Sequence, residues 1–562
     1  MNRPKSSRNY KILRNILSKT RQVELSPDVS YLLVYSFLYK YCSDLLKEYF
    51  LSVIEDKAVT LDEAYENDMS HQLLRRDAFE MFGYHIKSPD FFIDEVINSS
   101  YSERFFIHKF FKAFSENVEF PKNSNYEKYF NFIFESVEQE INLNKFEFEG
   151  ESHLIVKDII YSISKLDVQE RRYPFERVFD KLCQSKLMNI DHDPDYITDM
   201  LSAIVSSIKP KSENVYNPFL RDASSIIDLK WHYEWGFGAS YGKGLDKITY
   251  CSSIVKLYLN HFDLDSVFLE YGSPLESVGI DSTSFDVIIS RIPPITPKNL
   301  KRLNSAQNAE MAKRNKRKQL EDVLTSRFDM DENSFMRDDE LNEALENILR
   351  KIDIERGSEM EFYGEFESLK DSEYLFLINL INCLKDDGVM AVSMSQGFLF
   401  KNSLETLRKY LTVAKNYVDA IISIPDGISR PNRSEIIVVF RKNKSTDDIV
   451  FIDTSTDYDT KRSPYSVPGL FKRNLVLDNK TMNRVVDAYV KRKSIERFSN
   501  VVSLSEIEKN EFNLAISRYV DTFEGEFISL RELKHQKEDM ESNLKELNRK
   551  IDMMMDELNI RL

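Results

Sequence analysis

Only four cysteines occur among 562 residues, and none forms a CxxC pair. Cys42, Cys183, Cys251 and Cys383 lie far apart in the chain, which argues against a disulfide framework and a cysteine zinc cluster. The eight histidines include no HExxH and no pair at ligand spacing, so metal chemistry is not expected. No apolar run reaches the ~20 residues that a membrane helix needs. The N-terminal stretch MNRPKSSRNYKILRN is basic but lacks the apolar run of a secretory signal. Work in the cytoplasm, away from membranes, is the expectation. An overall basic charge is missing too. The formal net charge is −15, whereas a protein holding DNA alone is ordinarily basic. Contact with nucleic acid would need a local basic patch or a basic partner.

What is present is globular. A chain with 42% hydrophobic and 30% charged residues has material for two to four domains, each with a sizeable core. Residues 1–190 read as helical, from apolar periodicity and scarce strand-type alternation. Ser30 to Phe50 carries Leu32, Tyr35, Leu38, Tyr39 and Cys42 on one face, and Asn125 to Ile141 is a second aromatic-rich cluster. Both fit the core of a helical bundle.

From about Asp193 strands and helices alternate. NVYNPFLRDASSIID reads as strand, turn and helix start, KITYCSSIVKLYLNHF as a helix, SVFLEYG and FDVIISR as strands. YLFLINLINCLKDDG reads as a helix ending at Gly388, and VMAVSMS, YVDAIISIP and EIIVVFRK as further strands. Strands separated by helices predict a mainly parallel, doubly wound α/β sheet. The α/β region spans 191–445, with a charged insertion at about 298–360 and a connecting region at 446–526. The insertion carries a basic run, Lys313, Arg314, Lys316, Arg317 and Lys318. It reads either as a solvated helical hairpin or as a phosphate-contacting flap.

Residues 527–562 form a further unit. Leu530, Leu533, Lys537, Met540, Leu544, Leu547, Ile551, Met554 and Leu558 step by three and four, an a/d seam with one polar intruder. Such a helix cannot bury its stripe alone. It either folds back on the bundle or meets a partner helix, and the partner is the favoured reading.

In this order the pieces resemble the methylation subunit of type I restriction–modification systems, a DNA adenine-N6 methyltransferase family. YSFLYKYCSD and GYHIKSPDFF are similar to segments of its helical domain, and DPDYITDMLSAIV to the helix before its cofactor loop. LKDDGVMAVSMSQGFLFKNSLETLRKYL is similar to the strand and helix after its catalytic loop, and NEFNLAISRYVDTFE to its C-terminal signature. The resemblance covers nearly the whole chain. It implies a Rossmann-like methyltransferase domain, an N-terminal helical domain, and a C-terminal coiled-coil helix. It also implies double-stranded DNA within a complex, and a specificity-type or other defence-complex subunit as partner.

The family's catalytic turns are altered here. Its S-adenosylmethionine loop is glycine-rich, because the backbone must approach the cofactor closely and adopt positive φ. This chain has Asn217, Pro218, Phe219, Leu220, Arg221, Asp222, Ala223 and Ser224, without a glycine. Gly244 stands where the family's ribose-binding acid would be, with Asp246 two residues on, and Ser273 stands in the adenine-contacting turn. Asn217, Pro218, Asp222, Gly244 and Ser273 are thus degenerate cofactor positions. The Asn-Pro-Pro-aromatic turn that holds a flipped adenine becomes Arg291, Ile292, Pro293, Pro294 and Ile295. Neither Arg291 nor Ile292 can accept a hydrogen bond from the target amine, and Ile295 cannot stack on a base. The expectation is a subunit with the methyltransferase fold that binds no cofactor and has a structural, DNA-embracing role. The alternatives are a divergent, active S-adenosylmethionine-dependent methyltransferase and a protein scaffold without DNA contact.

Overall fold

The computed structural model describes residues 7–19, 29–55, 59–141, 151–185, 188, 190, 192–233, 236–272, 284–292, 377–378, 380–424, 435–454, 479–522 and 530–557. A two-stranded hairpin pairs β1 (His85–Ile86) with β2 (Val118–Glu119) among the N-terminal helices. The principal sheet has nine strands. They are β3 (Asn214–Asn217), β4 (Ala239–Gly244), β5 (Val267–Tyr271), β6 (Phe285–Arg291), β7 (Leu384–Ser395), β8 (Val418–Ser423), β9 (Glu435–Arg441), β10 (Ile449–Ile452) and β11 (Ser499–Val502). Their spatial order is β11-β10-β8-β9-β7-β6-β3-β4-β5.

Strands β5, β4, β3, β6 and β7 run parallel, and β9 inserts antiparallel between β7 and β8. Both faces of the sheet centre are covered, which explains why these strands read as unbroken apolar runs. In β7 Met390, Val392 and Met394 join one core, while Val389 and Ala391 join the core on the opposite face. The same alternation separates Ile436, Val438 and Phe440 from Ile437 and Val439 in β9.

Three readings are corrected. Leu384–Gly388 does not end a helix; it opens β7, and Leu384 pairs with Phe285 before a register shift in the ladder. Tyr241–Gly244, the stretch that ends at the residue aligned with the ribose-binding acid, is part of strand β4 rather than a turn. A Cβ on Gly242 would approach Leu269 Cδ2 to 3.0 Å and the Asn217 carbonyl to 3.3 Å, so a close strand crossing accounts for that glycine. The segment after residue 445 adds β10 and β11 to the same sheet.

The N-terminal helices and the sheet share a core. Tyr41 meets Tyr258 edge-on at 5.3 Å, on the helix Lys247–Leu259 that follows β4. At the sheet edge the Tyr129 hydroxyl donates to the Val267 carbonyl at 2.6 Å and accepts from the Leu269 N–H at 2.8 Å. A side chain thus satisfies backbone groups of β5 that would otherwise invite another strand.

Candidate functional site

In an open parallel sheet, ligands bind beyond the carboxyl ends of the strands where the strand order reverses. Here that point lies between β3 and β6, because β4 flanks β3 on its other side. Asn217 ends β3, and Arg291 ends β6. Asn217 and Arg291, which begin the sequence-derived cofactor and base-holding stretches, therefore lie at the ends of neighbouring strands.

The turn after β3 is held by its own side chains. The Asn217 carboxamide oxygen accepts from the Phe219 N–H at 3.0 Å and from the Ser290 hydroxyl at 3.1 Å. Its amide nitrogen donates to Ser225 Oγ at 2.6 Å. Leu220 N–H donates to the Lys243 carbonyl at 2.8 Å, which fastens the turn to β4. Ala223 sits at φ 58°, a left-handed conformation that costs an L-residue roughly 1–2 kcal/mol. The turn keeps positive φ without the glycine that would adopt it freely.

Charge fills the crevice. Arg291 Nε donates to Glu435 Oε2 at 2.8 Å and Nη2 to Oε1 at 2.5 Å, a two-pronged pair. The Ser393 hydroxyl on β7 donates to the same Glu435 oxygen at 3.2 Å. Asp193 Oδ1 lies 3.3 Å from Arg221 Nη1 and 3.7 Å from Arg291 Nη1, so one carboxylate serves both guanidinium groups. Arg291 is 3% exposed and Glu435 7%. Burial would lower the Arg291 pKa, but the hydrogen bonds and charge of Glu435 outweigh it and hold the guanidinium above its usual value.

A second buried cluster lies behind the turn. Lys256 Nζ is 2.9 Å from Asp180 Oδ1 and 3.1 Å from Asp222 Oδ2, and it donates to Ser224 Oγ at 2.7 Å. Ser224 in turn donates to Asp222 at 2.9 Å. Burial would raise the Asp222 pKa, yet Lys256, His192 and the Ser224 hydroxyl hold it below the carboxylate range.

The residues at the position that the resemblance assigns to the ribose-binding acid do not fit that role. A Cβ at Gly244 would lie 2.8 Å from Tyr250 Cδ2 and 2.9 Å from its Cβ, so an acidic side chain at that position has no room. Asp246 is no substitute, since its carboxylate caps the next helix, accepting from Thr249 N–H at 3.3 Å and Thr249 Oγ1 at 2.7 Å. Ile292 is buried, with its N–H donating to the Ser393 carbonyl at 2.8 Å. Pro293, Pro294, Ile295, Ser273 and the run Lys313–Lys318 lie outside the described residues. Asp193, Glu435, Asp180 and Lys256 escaped the sequence reading. The one signal was Glu435 itself, a carboxylate leading the strand EIIVVFR, whose next five residues are apolar.

Comparison with known proteins places this fold. The profile of the N-6 DNA Methylase family matches residues 349–526, beyond both altered turns. The MpnII type I methylase subunit of Mycoplasma pneumoniae is 26% identical over 193 residues, and the MjaVII subunit of Methanocaldococcus jannaschii 30% over 166. Over these stretches the chain is similar to type I methylase subunits. The aligned stretches span 34% and 27% of those two relatives and 34% and 28% of this chain. Among solved structures, a type I methyltransferase subunit from Streptococcus thermophilus superposes with a TM-score of 0.66 at 19% identity, covering 92% of this chain and 99% of that one. A modification subunit from Vibrio vulnificus gives 0.54 at 12% identity, with 90% and 94% covered. The fold is thus that of the methyltransferase subunits. Among the described residues no helix is long and apolar enough to cross a membrane.

The C-terminal helix runs from Leu530 to Glu557. Leu533, Met540, Leu544, Leu547 and Ile551 are exposed on it. The side chains of Leu530 and Met554, and Leu558 as a whole, lie outside the described residues.

Proposed function

We propose that this chain is a methylase-type subunit of a type I restriction–modification or related anti-phage defence complex that does not itself transfer methyl groups. The observation that carries the reading is the buried Arg291–Glu435 pair at the switch point, with Arg221 and Asp193 completing it. Removing water from four charged groups is costly unless their geometry is retained. A crevice stabilised this way has no reason to open for a cofactor whose own binding groups are missing. On this reading the degenerate positions Arg291, Ile292, Asn217, Asp222 and Gly244 serve the fold, and the chain contributes structure and DNA contact to its complex.

The Lys313–Lys318 run is proposed as a phosphate-contacting element, and the Leu530–Leu558 stripe as a coiled-coil contact with a specificity-type or other subunit. The test is calorimetric titration of the purified chain with S-adenosylmethionine. No saturable heat is expected up to about 1 mM ligand, a binding free energy no better than −4 kcal/mol. A clear isotherm would establish the divergent, active methyltransferase instead.

A further inference from the structure

Residues 1–23 contain seven Lys and Arg and no Asp or Glu, so the other 539 residues carry a net −22. The described part of this segment is Ser7 and the helix Arg8–Lys19, and the helix divides cleanly by face. Tyr10, Leu13, Ile16 and Leu17 are buried in the bundle. Asn9 anchors the inner side, its amide nitrogen donating to the carbonyls of Asp167 at 2.8 Å and Tyr173 at 3.1 Å. Arg8, Lys11, Arg14, Asn15 and Ser18 face outward. Lys19, at the helix end, pairs with Asp158 at 2.8 Å. Among the described residues, Arg8, Lys11 and Arg14 have no carboxylate at ion-pair distance.

We infer that this face is a docking surface for the phosphate backbone of duplex nucleic acid. The inference rests on the proposed DNA-holding role and gives it a site separate from the switch-point crevice and from Lys313–Lys318. Charge complementarity selects the occupant. Three cations spaced three residues apart extend over ~9 Å of helix, and a duplex presents about five phosphate charges over that length. In a chain that is otherwise strongly acidic, an outward helix side with three cations and no carboxylate of its own attracts a polyanion. Arg8 also lines a cleft with Asp44, Asp94, Glu95 and Asp167, whose lining does not include Lys11 or Arg14. A membrane surface is a poor occupant. Amphipathic basic helices bind bilayers by burying their apolar face in the lipid, and here that face is already buried under the bundle.

The experiment uses the full-length chain and a 30-base-pair duplex of arbitrary sequence, about three helical turns, titrated between about 50 and 200 mM salt. Replacing Arg8, Lys11 and Arg14 together by Gln should weaken binding on the order of 100-fold at 0.1 M salt and flatten the log–log salt slope by about 2.7. The charge-keeping variant Arg8→Lys/Arg14→Lys should retain the wild-type slope, and circular dichroism should be unchanged for both, since all three side chains are exposed. Equal affinity and slope in the triple-Gln variant would overturn this surface while leaving DNA binding elsewhere intact. A wild-type chain that binds no duplex at low salt would overturn the surface and the DNA part of the proposed function together. Binding to anionic vesicles in place of duplex would overturn the choice of occupant. Cofactor titration is independent of all three results.

Discussion

Arg291 on β6 and Glu435 on β9 meet across the intervening strand β7, with Nε–Oε2 at 2.8 Å and Ser393 of β7 bonded to the same carboxylate. They are 144 residues apart in sequence. The pair therefore staples three strands at the point where relatives with this fold would be expected to open a ligand crevice. Removing one partner should be far worse than removing both. Arg291→Met leaves the Glu435 charge buried and should cost about 3–5 kcal/mol, whereas Arg291→Met/Glu435→Leu should recover most of it. Urea denaturation of the three proteins measures this. Equal loss in the single and double variants would mean that the pair itself, not charge burial, carries the stability.

Asp228 gives the site's surroundings a pH dependence. It lies on the helix Ser224–His232 and accepts a hydrogen bond from Thr198. Burial pushes its pKa up to about 7, with Asp195 and Asp199 adding to the rise and Thr198 and Lys256 opposing it. The folded state thus holds this proton more tightly than the unfolded chain, where the pKa is about 3.9. Its contribution to stability falls as pH rises from about 4 to 7 and is level above that, by at most about 4 kcal/mol. Asp228→Asn removes the titration. The variant should gain on the wild type between pH 5 and pH 8 in denaturation midpoints, and a constant difference across that range would refute the assignment.

The doubly wound sheet was legible because its central strands are buried on both faces. FDVIISR and EIIVVFR carry few polar residues. Strand β4 was not legible, because ASYGKG has two glycines and a lysine and lacks strand composition. Its glycines answer to Leu269, Asn217 and Tyr250, contacts that exist only after folding. The glycine-free stretch after β3 and Arg291 at the end of β6 were visible. The ion-pair cluster was not, since Asp193, Arg221, Arg291 and Glu435 are scattered over 243 positions and are joined only by the fold.

On the proposed reading Gly244 stands at the family's ribose-binding position, and placing an acid there should not create cofactor binding. Gly244→Asp drives a Cβ against Tyr250, where the ideal approach is already 2.8 Å. Overpacking of this kind costs typically about 1–3 kcal/mol. The variant should melt earlier than wild type and give no heat with S-adenosylmethionine. Adding Tyr250→Ala should remove the clash, though it also removes the hydroxyl bond to the Leu269 carbonyl at 3.1 Å. Cofactor binding by Gly244→Asp alone would show that the crevice opens more readily than its ion pairs imply.

The C-terminal helix supplies the last test, of assembly rather than chemistry. Leu530–Glu557 spans 28 residues, about 42 Å at 1.5 Å per residue. Met540, Leu544 and Leu547 are 68%, 64% and 60% exposed. Apolar side chains at these a/d positions gain little on an isolated helix, whose stability in water is marginal without a packed face. A partner helix would bury them at about 25 cal/mol per Å² of apolar surface. Removing the chain after Phe527 should therefore leave the helical region and the nine-stranded sheet folded, with an unchanged near-ultraviolet spectrum. It should abolish co-purification with the partner subunit. Leu544→Glu/Leu547→Glu should do the same with the helix present, since two carboxylates would then have to be buried in the seam. If the truncated chain still co-purifies with its partner, the stripe packs within the molecule and the contact lies elsewhere.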